Sequence, residues 1–124
     1  MALSIASSSS FAYKIAVETD LEADAKVNVF GGGATLHSID IDNAANGGAA
    51  VFLKLFDSSS TVTPGTTKPD HQLRVGGGER ILAQYPSGVS FSNGLSMNCS
   101  TTAGTAGDDT TDPVGAVIVN LVVA

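Results

Sequence analysis

The sequence predicts an all-β protein, an antiparallel β-sandwich, and two observations carry that prediction. Apolar residues recur at every second position in nearly every apolar stretch, which is the period of a strand and not of a helix. The 124 residues also include 14 Gly and no Trp, a composition typical of short strands joined by many turns. We expect about eight strands, less than about a tenth of the residues in helix, and a topology for which the jelly roll is one candidate.

The strongest strand prediction is the segment from Ala49 to Asp57. Its two alternating sets of side chains are both largely apolar, namely Val51, Leu53 and Leu55 on one face and Phe52, Lys54 and Phe56 on the other. A strand with two such faces belongs inside a structure, because both faces need cover. The aliphatic set suits a core, whereas Phe52 and Phe56 suit a second layer or a partner chain.

The amino-terminal part alternates too. The first ten residues are small and polar, and both a mobile terminus and an arm ordered by a partner are open for them. Tyr13 to Val29 has strand periodicity, with a break expected near Glu22–Asp24. We therefore divide the chain into an extended arm, 1–13, and one domain, 14–124. An apolar stripe without cover follows the serine run, and together with Phe52 and Phe56 it forms the predicted subunit interface: Phe11, Tyr13, Ile15 and Val17.

Further strands are predicted over Ala34–Asp42, His71–Val75, Glu79–Tyr85 and Val114–Val123. In the last of these, Val117, Val119, Leu121 and Val123 share one face, and Ala116, Ile118 and Val122 share the other. Ser58 to Asp70 is rich in Ser, Thr and Pro, which indicates a loop that crosses between two sheets. Ser100 to Asp112 is polar and is predicted to be a surface excursion.

The segment from Glu79 to Cys99 is predicted to be a three-stranded meander. A three-residue loop at Ser92–Gly94 would place Phe91 opposite Leu95, and a turn at Pro86–Gly88 would place Tyr85 opposite Val89. This register collects the apolar residues on one face, whereas a two-residue turn at Asn93-Gly94 scatters them. The alternative is one irregular loop over Pro86–Gly94.

Charge and hydropathy exclude several classes of partner. Six basic and 12 acidic residues give a net charge of −6, which argues against nucleic acid and against anionic lipid. The longest apolar run, Val114–Ala124, is about half the ~20 residues that a membrane-spanning helix needs. The first 13 residues lack the pattern of a signal peptide, so we expect synthesis in the cytoplasm. The single cysteine, Cys99, is expected to be an inert buried thiol.

No motif for catalysis or for binding a metal ion is recognisable. His37 and His71 lie far apart in sequence, and neither has a second ligand at metal-binding spacing. The acidic turns at Asp40–Asn43 and Asp108–Asp112 lack the Gly and the final Glu of an EF-hand loop. The glycine runs at 31–33 and 76–78 match no nucleotide-binding fingerprint. We expect a protein that is not an enzyme and that has no cofactor or metal.

Three turn-rich segments occur in order: Lys54-Leu55-Phe56-Asp57, then Thr63-Pro64-Gly65-Thr66-Thr67 with Pro69-Asp70, then Pro86 to Leu95. With them the chain, over about Ala34 to Val123, resembles small virion proteins of tailed bacteriophages. The resemblance implies an all-β module that decorates or cements a capsid or builds a tail part, without catalytic residues.

From this resemblance we expect a capsid decoration or cement protein, made in the host cytoplasm and located on the capsid surface of the virion. Its expected partners are the major capsid protein or neighbouring copies of itself, the latter as a homotrimer. The alternative is a tail fibre or host-facing module that binds carbohydrate. The low aromatic content weighs against the alternative, because sugar rings commonly stack on exposed aromatic side chains.

Overall fold

The computed structural model describes residues 3–8, 13–105 and 111–124, and none of these is helical. The prediction of an all-β fold is confirmed. Eight strands follow one another along the chain: β1 (Leu3–Ser8), β2 (Tyr13–Glu18), β3 (Ala34–Asp42), β4 (Val51–Asp57), β5 (His71–Val75), β6 (Arg80–Phe91), β7 (Leu95–Ser100) and β8 (Ile118–Val123).

The strands form two antiparallel sheets, consistent with a β-sandwich. The larger sheet has five strands in the order β1-β2-β8-β3-β6, and the smaller has three in the order β5-β4-β7. The central position of β4 in the smaller sheet confirms the prediction that it is an interior strand. The predicted strands Ala34–Asp42 and His71–Val75 are observed with the same bounds.

The core lies where the inner faces of the two sheets meet. It combines two sets of side chains that were each predicted to share one face of a strand, and every member is at most 3% exposed. The sets are Val51, Leu53 and Leu55, and Val117, Val119, Leu121 and Val123. The main contributors from four strands are Leu36, Ile39 and Ile41 of β3, Val51, Leu53 and Leu55 of β4, Leu95, Met97 and Cys99 of β7, and Val119, Leu121 and Val123 of β8.

The outer edge of β7 is not open, because the segment after β2 lies beside it. The amide of Lys26 donates to the carbonyl of Met97 at 2.8 Å, and the amide of Met97 donates back to Lys26 at 2.9 Å. Two further hydrogen bonds extend this contact. The backbone amide of Val29 donates to the carbonyl of Leu95, and the backbone amide of Cys99 donates to the carbonyl of Glu22. The predicted break occurs, but β2 ends at Glu18, before the expected Glu22–Asp24, and the residues after it leave the larger sheet and run along the smaller one.

The predicted meander over Glu79–Cys99 is wrong. β6 continues through Pro86–Gly88 to Phe91 as one strand of the larger sheet, and β7 belongs to the smaller sheet. The Pro86–Gly88 segment is absorbed as a bulge, because Gln84 pairs with Ser38 while Val89 pairs with Leu36. The one-sided apolar pattern arises differently, since Phe91 and Leu95 reach the same core from two facing sheets.

Two buried asparagines join three loops at one end of the sandwich. The side-chain amide of Asn43 donates from Nδ2 to the backbone carbonyls of Ala49 and Gly76, both at 3.0 Å. Asn46 donates to the side-chain oxygen of Asn43 at 2.8 Å and accepts from the amide of Gly115 at 2.6 Å. The loop Asn43–Gly48 is therefore ordered by side chains that satisfy buried backbone groups, and this end of the fold is a structural support.

Candidate interaction surface

The apolar stripe of β2 faces away from the core. Ala16 and Glu18 are the residues of this strand that point inward, and both are 0% exposed. Because side chains alternate along a strand, Tyr13, Ile15 and Val17 point to the opposite side of the sheet. Tyr13 and Ile15 are each 38% exposed. The more apolar face of this strand is thus the one left uncovered in the single chain.

Strand β8 continues this apolar area across the sheet. Ile15 lies opposite Val122 in the ladder between β2 and β8, and Ile118 is 37% exposed on the same side. We call the five residues of this area the apolar face: Tyr13, Ile15, Val17, Ile118 and Val122. They come from two adjacent strands on the outside of the larger sheet, and the half-buried Asn120 of β8 lies on the same side, opposite Val17 and between Ile118 and Val122.

The other half of the same sheet surface is polar. Arg80 of β6 donates from Nε to Oδ1 of Asp40 at 2.9 Å and from its NH2 group to Oδ2 at 2.7 Å. This bidentate hydrogen bond, with the charge of Arg80, holds the pKa of Asp40 below its usual value, although partial burial opposes the shift. The sheet surface is therefore divided between a mainly apolar half on β2 and β8 and a mainly polar half on β3 and β6, although Leu82 of β6, opposite Asp40, is 61% exposed in the second half.

A surface groove of about 350 Å³ lies where the two halves meet. The bulges at His37 in β3 and at Pro86–Gly88 in β6 lie beside it, and bulges often redirect side chains in this way. The rings of Tyr13 and His37 meet edge to face with centroids 5.5 Å apart. The groove is lined by Tyr13, His37, Ser38, Gln84, Tyr85, Pro86 and Val122.

A second, smaller cavity lies between the sheets. Its volume is about 40 Å³, and its walls include Leu36, Leu55 and Tyr85, with His71 and Gln72 among its polar residues. A space of this size holds a water molecule and not an organic ligand. His37 and His71 line different spaces, so the structure does not bring the two imidazoles together in one site.

The residues predicted for the subunit interface separate into two groups. Tyr13, Ile15 and Val17 lie together on the apolar face, and Phe11 lies outside the described residues. Phe52 and Phe56 belong to β4 in the other sheet, where Phe52 is half-buried and Phe56 is only 1% exposed. Phe56 therefore offers almost no surface to a partner in this conformation, and the aromatic pair remains a prediction only for Phe52.

Sequence reasoning did not include β8 in this surface. The alternation in the last strand does place Ile118 and Val122 on the face opposite its buried side chains. It does not reveal that β8 lies beside β2. The groove residues His37 and Tyr85 were missed as well. Their placement depends on bulges, which have no distinct pattern of hydrophobicity.

Among the described residues, no group of three or more His, Cys, Asp or Glu side chains is placed to hold a metal ion. The same part of the chain has no helix with the length and apolar character needed to cross a membrane. Comparison with known proteins found no matching family model, no matching curated protein and no matching solved structure. The fold and the surface thus define an all-β module with one uncovered apolar sheet face.

Proposed function

We propose that this chain is a virion structural protein without enzymatic activity, a decoration or cement protein that stabilises a phage shell through contacts between subunits. The observation that carries the proposal is the apolar face. A soluble protein rarely places the apolar side of a strand outward and a carboxylate inward, unless a partner covers the outer side. Tyr13 and Ile15 do point outward, and Glu18 points inward.

The topology supports the same proposal. Residues 22–29 run beside β7, β2 pairs with β8, β3 with β6, and β4 with β5. Strands paired in this nested way support the proposal that the sandwich is a jelly roll, in which β1 is an additional edge strand. Jelly rolls are used by viral capsid domains and by lectins.

The energy available from one copy is modest. Full burial of a large apolar side chain contributes about 1.5 to 3 kcal/mol, and the residues of the apolar face keep only part of their surface exposed. Each of them would therefore add about 1 kcal/mol, before the entropy of association is subtracted. A cement protein can work with such contacts because each one is repeated by the symmetry of the shell.

The proposed partner is the major capsid protein or a neighbouring copy of the chain, the latter within a homotrimer. The net charge of −6 favours a partner surface that is neutral or basic where the two meet. Beside the apolar face, Asp40 and Arg80 form an ion pair within the chain, so their charges neutralise each other. This pair would sit at the rim of the contact, where it fixes orientation more than affinity.

The test uses purified particles and counts the copies of this chain by quantitative mass spectrometry. A shell position predicts on the order of hundreds of copies, because it repeats with the symmetry of the capsid. Ile15→Lys should lose particle binding, whereas Val114→Lys, at a residue 101% exposed outside the sheets, should keep it. About a dozen copies or fewer, as at a symmetric tail, or equal binding by both variants, would refute the proposal.

A tail fibre or host-facing module that binds carbohydrate is the second candidate, and the groove favours it. Tyr13 and Tyr85 can stack on sugar rings, and Gln84 and Ser38 can hydrogen-bond to hydroxyl groups. A glycan array tests it directly. Binding that Tyr85→Ala abolishes would support this candidate, and an array without any bound glycan would argue against it.

A further inference from the structure

Strand β1 forms one edge of the larger sheet. Its six residues pair with β2 along one side, in a register that places Leu3 opposite Glu18 and Ile5 opposite Ala16. Within the described part of the chain, no strand pairs with its other side. The backbone N–H and C=O groups of every second residue of β1 point to that side, and they are therefore available to another strand.

The edge lacks the features by which proteins usually prevent strand pairing. Leu3 to Ser8 contains no Pro and no charged residue, and its ladder with β2 has no bulge. The opposite edge, β6, carries Arg80, Pro86 and a bulge. In the smaller sheet, residues 22–29 lie beside β7. The remaining edge, β5, carries Arg74 and His71. β1 is thus the edge best suited to accept a strand.

We propose that β1 pairs with β1 of a second copy of this chain, antiparallel and about a two-fold axis perpendicular to the sheet. Two sheets of five strands then become one continuous sheet of ten. This inference rests on the proposed function only in taking contact between copies as the work of the protein. It names the edge and the mode of that contact, and it gives the free chain a two-fold dimer in place of the homotrimer.

The register follows from which way the side chains point. Leu3 and Ile5 lie on the inner side of the sheet, as their partners Glu18 and Ala16 do, and they are 40% and 44% exposed. A perpendicular two-fold axis keeps the inner sides of both copies on one side of the joined sheet. With Ser4 on the axis, Leu3 of one copy lies opposite the partner's Ile5, and Ile5 lies opposite the partner's Leu3. The pairing therefore covers the apolar side chains that the single chain leaves exposed.

Charge opposes the approach of a second copy least at this edge. The chain carries a net charge of −6, so two copies repel each other over most of their surfaces. β1 carries no charged side chain, and Glu18 beside it is buried. With Ser4 on the axis, residues 3–5 of each copy lie opposite one another, so the paired length is about 10 Å and the contact is much smaller than the roughly 1,200 Å² of a standard stable interface. The association should accordingly be weak and reversible.

Sedimentation velocity over a range of protein concentrations tests the proposal. The wild-type chain should change from monomer to dimer, and Ile5→Lys should weaken this dimer at least about tenfold by placing a charge at the edge. The matched control is Leu82→Lys, because Leu82 is 61% exposed on the strand at the opposite edge, and this variant should dimerise as the wild type does. A monomer at every concentration, a trimer, or unchanged dimerisation of Ile5→Lys would overturn the proposal.

Cross-linking provides a test that does not depend on the stability of Ile5→Lys. Directly opposed residues in an antiparallel pair have Cα atoms about 4.5 to 5.5 Å apart, which a disulfide can bridge. Ser4→Cys should therefore form a disulfide-linked dimer on mild oxidation, whereas Ser90→Cys, exposed on β6, should stay monomeric. Equal cross-linking of both variants would refute the register.

The outcomes separate this inference from the proposed function. If particles carry many copies but the free chain never dimerises through β1, only the inference fails. If the chain dimerises through β1 but is absent from the shell, only the virion role fails.

Discussion

The carboxylate of Asp57, at the end of β4, accepts a hydrogen bond from the backbone amide of Asn93 at 2.9 Å. The same oxygen lies 3.4 Å from the amide of Gly94. Residues 92–94 carry the chain from β6 in the larger sheet to β7 in the smaller one. One side chain therefore satisfies the backbone of the crossing between the sheets, and it belongs to the strand that pairs with β7.

Asp57→Ala should lower the free energy of unfolding by about 1 to 3 kcal/mol, because a hydrogen bond to a charged acceptor is lost and two amides are left to water. Urea denaturation followed by circular dichroism measures the change. Asp24→Ala, at an exposed carboxylate, is the matched control and should be within about 0.5 kcal/mol of the wild type. Equal stability of the two variants would contradict the role of Asp57.

Periodicity alone was sufficient to predict β3, β4, β5 and the buried face of β8. In β8 one set of alternating side chains is apolar enough to mark the inner face, and the observed burial follows it. In β3 the strand itself was predicted but its faces were not, because the bulge at His37 places Leu36 on the same inner side as Ile39 and Ile41. For β4 both faces are apolar, and both contain buried residues: Phe56 is 1% exposed and even Lys54 is 0% exposed. Strong alternation predicts a strand and its inner face because burial of apolar area dominates the choice of register.

Periodicity could not predict which strand pairs with which. The sequence pattern favours Phe91 and Leu95 on neighbouring strands because that register aligns their side chains, yet facing sheets align them equally well. The interaction surface shows the same limit. The stripe of β2 is recognisable in the sequence, but its extension onto β8 depends on a contact between residues about 100 positions apart, which local pattern does not encode.

Gly94→Ala should destabilise the fold. The reason is the position of Gly94 in the crossing between the sheets, and not a role in the three-residue hairpin loop that the sequence predicted. Gly94 has φ of 154°, and a Cβ atom there would lie 2.7 Å from Oδ1 of Asn28 and 3.1 Å from the carbonyl oxygen of Ser58. Both the backbone conformation and the close approach disfavour a side chain, so we expect a loss of about 1 to 3 kcal/mol.

Gly47→Ala is the control for this variant, because a Cβ atom added to Gly47 would have no neighbouring atom within 4 Å and the methyl group should be tolerated. The unfolding midpoint in urea compares the two variants directly. If Gly94→Ala were as stable as Gly47→Ala, the segment 92–94 would have to accommodate a methyl group despite the close contacts seen in the structure.

The Asp40–Arg80 pair predicts a small dependence of stability on pH. The hydrogen bond from Arg80 lowers the pKa of Asp40 in the folded state, so the pair stabilises the fold above the unfolded-state pKa and loses this contribution as pH falls through the folded-state pKa. The effect should be small, because the side chains are 64% and 26% exposed for Arg80 and Asp40.

Thermal unfolding of wild type and Asp40→Asn tests this dependence. The wild type should have the higher Tm at neutral pH, and the difference should disappear well below the ordinary Asp pKa of about 3.9. Arg80→Gln and the double variant complete a mutant cycle at both pH values. A difference in Tm that is the same at both pH values would show that the pair does not cause it.

Glu18 is the residue whose replacement should stabilise the protein. Its side chain is 0% exposed on the inner side of the larger sheet, between the paired positions of Leu3 and Val119. Oε1 accepts from the amide of Asp20 at 3.1 Å, but Oε2 is buried without a hydrogen-bond partner. A buried carboxylate with an unsatisfied oxygen loses more hydration than one hydrogen bond restores.

Glu18→Met should therefore raise the free energy of unfolding by about 1 to 2 kcal/mol, because a thioether of similar length fills the same space without that loss. Glu18→Gln is the matched variant. It removes the charge but buries an amide that needs partners of its own, so its gain should be smaller. Urea denaturation gives both values. A less stable Glu18→Met protein would mean that the bond to Asp20, which ends β2, contributes more than the buried oxygen costs.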